Sequence, residues 1–378
     1  MVTEKVEQTQ FLGLRRLFGS YDEAHFINHH WGQRVFHVSR GPSETFGNLF
    51  SLKDLDKTIG FSMTRDYVSL WQQGAWQSVV AKRSAKTLAE VYEAFQAGHP
   101  VKVDTLEMRH RPLGELVNTI TREFGFAAEA SIIGYPPGFL GEVLPVSGNE
   151  VFYAQLSGHV FWQVVSPIDD AWNGETSLGD SWYIPAQSKG CFKTGKSSAV
   201  FFIVVKVKAF SMFDLLEKAI ARLSEKQVDF RKNLPFGLPL APDTNAELAP
   251  YIRKKLVPHL KQLDWEGARD ILNLDVIRQM QPLPNGHFPQ MREVAAINEE
   301  TLIERRPGMV AEMHFADDNV VFEFPGSFQV GPEKLFLAWD FFKTTESFKV
   351  KDIPGWYNMK EKIVCVQHLV RKGYLRIK

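Results

Sequence analysis

The spacing of apolar and polar positions divides the chain into three stretches. Residues 1–100 mix short elements. Ser20 to Ile27 reads as a short helix, with Ser20 as cap and Glu23 three residues on. Ser51 to Ile59 also has helical spacing. Tyr67 to Ala81 alternates as two strands joined around Gln73-Gly74. Thr87 to Ala97 puts Leu88, Val91, Tyr92 and Phe95 on one helical face, and Gly98 and Pro100 end it. Pro112 to Phe124 forms a second amphipathic helix, stopped by Gly125.

The middle of the chain changes period. Residues 150–165 and 196–210 are strand-like, and the second run is aromatic and β-branched, as a central strand should be. From Ser211 the pattern returns to helix, with Met212 to Lys226 amphipathic and further helices between Asn245 and Asn273. Pro235, Pro239 and Pro242 mark a loop between them. Residues 300–378 read as a small unit of their own. Strands near Met309–Phe315 and Val320–Phe324 flank the turn cluster Asp317-Asp318-Asn319, and helices follow at Glu333–Phe342 and Asn358–Arg371. These shifts predict domains at 1–210, 211–299 and 300–378.

Composition narrows the class. A chain of 378 residues with 44% apolar content can bury a sizeable core, which 29 Phe and 9 Trp make aromatic. Its 44 basic residues balance 44 acidic ones, so no overall field favours nucleic acid or an anionic membrane. Cys191 and Cys365 are the only cysteines, which gives no disulfide framework and suits a reducing, cytoplasmic setting. The first residues are polar and carry no signal-peptide pattern, and no apolar run approaches the ~18–20 residues that span a bilayer.

The stretch P-P-G-F-L-G-E-V-L-P-V-S-G-N-E-V-F-Y-A-Q-L-S-G-H-V-F-W-Q-V, Pro136 to Val164, resembles the barrel strands of the JmjC-type cupin oxygenases, in their ribosomal-oxygenase branch. Gly179, Asp180, Tyr183, Ile184 and Pro185 match that family's G-D-x-x-Y-I-P turn. Asn28 to Val38 resembles its W-G-k-r-P-l-h-i entry segment. Phe230 to Pro235 resembles an element of its helical dimerisation region, and the L-V-R-K-G-Y-L-R-I ending resembles a winged-helix hairpin. The resemblance implies a mainly β fold with α: a double-stranded β-helix (cupin/JmjC) barrel, then a helical region that makes a homodimer, then a winged-helix-like domain. DNA binding by that last domain is not expected, because it is also rich in Asp and Glu.

The family's iron ligands are missing from the matching positions. A His-x-Asp pair precedes its V-F-x-x-Q segment; here the same offset from Val151, Phe152 and Gln155 falls on Pro145-Val146-Ser147. Its second His falls on Gly190. Imidazole and carboxylate hold ferrous iron and leave positions open for oxygen. Proline and glycine side chains carry no donor, and a serine hydroxyl is a poor one. The family's basic residue for 2-oxoglutarate falls on Val160, and a buried carboxylate without a partner is costly. The expectation is therefore a degenerate member with no iron or 2-oxoglutarate cofactor.

Strand alternation makes Ser147, Val160 and Trp162 inward, with Tyr153, Gln155 and Tyr183 as polar anchors and Cys191 beside the lost His position. Mostly apolar walls with sparse polar groups suit a small molecule or a peptide side chain. They also suit a barrel that has filled in. Lys189 and Lys193 near Cys191 favour a thiolate, although a free cysteine is more often a small buried apolar residue. His159 turns outward, and Asp169-Asp170 reads as a turn. His29-His30 reads as packing, since adjacent helical residues point apart. His287, His314 and His368 lack ligand spacing. Three functions remain: a binding protein for a protein, peptide or small-molecule partner; a metal-independent biosynthetic enzyme; or an oxygenase whose ligands are displaced to residues such as His110, His159, Asp169 and Asp180.

Overall fold

In the computed structural model the described residues are 12–41, 45–62, 67–78, 86–143, 148–231, 250, 253–254, 257–282, 286–316, 318–355 and 358–378. The chain forms two compact units, one of residues 1–209 with 280–286, the other of residues 210–279 with 287–378.

The first unit holds two antiparallel sheets. Its strands are β1 (Phe36–Val38), β2 (Val68–Gln72), β3 (Ala75–Ser78), β4 (Val101–Val103), β5 (Ala127–Tyr135), β6 (Leu140–Val143), β7 (Asn149–Ser157), β8 (His159–Val165), β9 (Ala171–Ser177), β10 (Ser181–Ile184), β11 (Lys189–Thr194) and β12 (Val200–Lys208). The larger sheet runs β1-β10-β7-β12-β5-β4-β2-β3 and the smaller β6-β11-β8-β9. Strand β8 reads as the alternation predicts. Along β8, Val160, Trp162 and Val164 are buried, while His159, Phe161, Gln163 and Val165 are exposed. The buried set meets Ile133, Trp182, Phe192, Phe202 and Val204 in one core. The other face of the larger sheet packs Phe152, Ile203, Val205 and Val207 against Leu14, Phe18, Phe26 and Ile120, which come from helices.

Local signals account for these elements. The helix predicted at Pro112–Phe124 spans Arg111–Phe124 and ends on Gly125 at φ 68°, where a side chain would cost energy. Gln73 and Gly74 both take positive φ, at 53° and 79°, as a two-residue hairpin turn between right-twisted strands requires. The helix predicted from Ser20 starts later, at Glu23, because Asp22 caps it: its Oδ1 accepts the His25 N–H at 2.9 Å. The helix at Leu12–Phe18 and strand β9 are additions to what the pattern predicted.

The second unit begins with a helix, Met212–Lys226, capped by reciprocal Ser211 and Asp214 hydrogen bonds. It packs on the helix Trp265–Gln279 through Arg222–Asp264 and Lys218–Asp275 pairs. Two three-stranded sheets follow. One joins β13 (Leu302–Arg305), β17 (Ser347–Lys349) and β18 (Leu375–Ile377); the other joins β14 (Glu312–Ala316), β15 (Asn319–Phe324) and β16 (Ser327–Pro332). Their common core includes Phe322, Trp339, Phe342, Leu369 and Tyr374. Of the Phe230–Pro235 element, residues 232–235 lie outside the described residues. Among the described residues no helix is long and apolar enough to cross a membrane.

Candidate functional site

The two sheets of the first unit enclose a cavity of about 610 Å³. Its floor and walls are aromatic because inward positions of several strands converge: Tyr135 ends β5, Tyr153 lies on β7, Trp162 on β8 and Phe192 on β11. Trp162 is the centre of this packing. Its ring lies 3.9 Å from Trp182 and 4.7 Å from Phe192, centroid to centroid, and 5.8 Å from Tyr153. Its indole N–H donates to Thr176 Oγ1 at 3.2 Å. Tyr135 stacks on Phe139 and meets Phe192 edge-on at 4.8 Å.

The rim is polar. Lys102 and Lys206 reach it, each paired: Lys102 Nζ is 2.8 Å from Asp104 and Lys206 Nζ 3.3 Å from Glu129. Lys102 also lies 5.2 Å from the centre of the Trp76 ring. The turn Pro185–Ser188 closes one side, with Gln187 at φ 66°, a conformation that costs a β-carbon-bearing residue energy. Burial pushes the phenols of Tyr135 and Tyr153 above their ordinary range, Tyr153 up to about 12, so both stay protonated.

The structure sorts the predicted residues. Tyr153 and Trp162 line the cavity. Val160 is buried on the same face but does not reach it. Gln155 sits deeper in β7, where its Nε2 donates to the Gly158 carbonyl at 2.9 Å, and it is a structural clamp rather than a cavity anchor. Tyr183 requires a correction. Tyr153 pairs with Trp182, so Tyr183 takes the opposite face, beneath Phe26 and Trp31. Its hydroxyl accepts the Gly32 N–H at 2.7 Å and donates to the buried Glu150 carboxylate. Cys191 is corrected likewise: Phe192 faces inward, so the thiol faces outward, 3.5 Å from Gln163 Oε1. Pro145, Val146 and Ser147 lie outside the described residues.

Sequence reading missed Tyr135, Trp76 and Phe192. The first stands directly before Pro136, where the stretch that carries the family resemblance begins; Phe192 pairs with Trp162 across β11 and β8. It also missed the buried acid Glu150, whereas Asp180 was among the displaced-ligand candidates. Glu150 bridges Tyr183 and the Ala186 N–H, and burial raises its carboxyl above the ordinary range. Asp180 lies 3.6 Å from His37, whose imidazole burial pushes down and Asp180 partly restores.

No protein-family model matches the chain, and no curated protein matches it. Solved structures do. The ribosomal oxygenase YcfD from Escherichia coli superposes with a TM-score of 0.54 at 17% identity, over 95% of this chain and 98% of that one. Its complex with cobalt and succinic acid gives 0.55 at 17%, and its complex with cobalt and 2-oxoglutarate 0.54 at 17%, each over 95% of this chain and 99% of that one. The chain therefore shares the fold of that ribosomal oxygenase.

The described residues do not fit the metal that this fold holds in YcfD. Gly190 offers no donor and no room for one. A Cβ there would stand 2.0 Å from the Gln163 carbonyl oxygen and 2.9 Å from Val164 Cα, both backbone atoms of β8. Among the described residues, no group of three or more His, Cys, Asp or Glu side chains is placed to hold a metal. The displaced set does not converge either: His110 bonds the Leu49 carbonyl at 2.8 Å, His159 faces Glu175 outside, and Asp180 faces His37.

Proposed function

We propose that this chain is a degenerate relative of the cupin oxygenases which works by binding, in its aromatic cavity, a small molecule or a peptide side chain, without ferrous iron or 2-oxoglutarate. The close approach of Gly190 to β8 carries the reading. It leaves no space for a ligand at the family's second histidine position, while the cavity beside it keeps the volume and the mix of apolar wall and polar rim that small ligands use. Pro145 and Ser147 at the other ligand positions, and Val160 at the basic one, support it from the sequence.

The same reading takes the two sheets as a double-stranded β-helix, residues 211–299 as a homodimer contact and residues 300–378 as a winged-helix-like interaction unit. The free Cys191 and Cys365 suit a cytoplasmic setting. The test is metal analysis of the purified protein with anaerobic titration of ferrous iron and 2-oxoglutarate, beside light scattering for the dimer. The expected result is no stoichiometric iron and no 2-oxoglutarate binding. Iron near one per chain would overturn the proposal.

A further inference from the structure

Two phenols give the cavity a polarity of its own. Tyr135 and Tyr153 both line it, from the strands on either side of β12, opposite Val200 and Val204, and no hydrogen-bond partner of either hydroxyl is seen among the described residues. Both residues are half-buried and their hydroxyls are not among the buried unsatisfied atoms, so each O–H opens onto the cavity and is free to meet a ligand acceptor there. Both rings pack on Phe202, with centroids 6.3 Å from it for Tyr135 and 5.6 Å for Tyr153. Both are O–H donors at neutral pH.

The charges around them are spoken for. Lys102 is held by Asp104 and by the face of Trp76, and Lys206 by Glu129. An anion would have to break those pairs and would also meet the exposed Glu142 at the rim. A cation would find the carboxylates of Asp104 and Glu129 already paired with lysines, and only the solvent-exposed Glu142 at the rim to balance its charge. A neutral group that accepts hydrogen bonds meets neither penalty.

Building on the cavity reading above, we infer that the cavity takes an uncharged ligand with a flat apolar body and a carbonyl or amide oxygen, for which Tyr135 and Tyr153 supply the hydrogen-bond donors. The rings of Trp162 and Phe192 face the body, and the two phenols discriminate by the acceptor.

The test uses four probes with one ring: indole-3-acetamide, 3-methylindole, indole-3-acetate and tryptamine. Each is titrated calorimetrically into the full chain, into Tyr135→Phe and Tyr153→Phe, and into the double variant. The amide should bind about tenfold tighter than 3-methylindole, the scale of one or two net hydrogen bonds. It should also bind tighter than the acetate or the amine. The double variant should bring the amide down to the affinity of 3-methylindole. The variants should melt near the wild-type temperature, because each removes a hydroxyl that opens onto the cavity and keeps the packed ring, so a lost preference is not a lost fold. A tighter acetate or tryptamine, or an amide preference that survives both substitutions, would overturn the ligand class and leave the cavity reading standing. No binding of any of the four to the wild type would overturn the cavity reading itself.

Discussion

Gly190→Ala is the sharpest test of the site geometry. The added Cβ would lie 2.0 Å from the Gln163 carbonyl oxygen, 2.9 Å from Val164 Cα and 3.0 Å from the Gln163 carbonyl carbon. All three are main-chain atoms, so no rotamer change relieves the contact. Strand β11 must move off β8, and the two are paired from Lys189↔Val165 to Thr194↔Val160. Overpacking a well-filled interior costs ~1–3 kcal/mol, and a contact against backbone belongs at the top of that range, about 3 kcal/mol. For a unit of about 200 residues this corresponds to a fall of roughly 6–12 °C in Tm. Gly195→Ala is the control. Its Cβ would meet the His159 carbonyl oxygen at 3.5 Å, an ordinary contact, so it should stay within about 0.5 kcal/mol of wild type. Urea unfolding followed by tryptophan fluorescence, with thermal melts by circular dichroism, reads both variants. Gly190→His, which restores the family's ligand type, should be less stable still and should gain no iron. A Gly190→Ala protein as stable as the Gly195→Ala control would refute the packing argument, and an iron-binding Gly190→His protein would refute the functional one.

Other predictions follow from the buried groups. Glu150, Glu107 and Glu123 have carboxyls raised by burial, so the folded state holds protons that the unfolded chain releases. Their contribution to stability is full below the ordinary glutamate value of about 4.3 and is lost as pH rises through the raised folded values. Glu150→Gln should therefore shrink the gain in urea midpoint between pH 7 and pH 5, and an unchanged gain would sink the assignment. Burial holds the Cys365 thiol up at about 11, whereas Cys191 is on an outer sheet face. A thiol reagent at pH 8 should then titrate one cysteine in the native protein and two in urea, and Cys191→Ser should abolish the native titre. In the second unit, Arg278 Nε and Nη2 donate to both oxygens of Glu323, at 2.7 and 3.0 Å, and that carboxylate is mostly buried. Arg278→Ala should cost ~1–3 kcal/mol, the penalty of leaving a buried acceptor unpaired, and a neutral result by urea unfolding would show the pair to be solvated.

How much of this was legible depends on the range of the signal. Elements set by neighbours in sequence could be read: Gly125 stops a helix, Gln73-Gly74 turns a hairpin, and the alternation of β8 puts Val160 and Trp162 inside. Faces set by pairing could not. Tyr183 and Cys191 each have a chemically attractive side chain one residue from the inward position, and only the Trp182↔Tyr153 and Phe192↔Trp162 registers turn them away. Trp76 and Lys102 reach the rim from strands far from Trp162 in sequence, and no local pattern brings them there. Gly190 shows the limit most clearly. The sequence reveals a missing donor, a loss that one substitution would reverse. The structure adds a missing volume, because β8 backbone occupies the space that a side chain would need. Restoring the ligand type at this position therefore requires moving two paired strands apart, and the aromatic packing of Trp162 and Phe192 on those same strands opposes that movement.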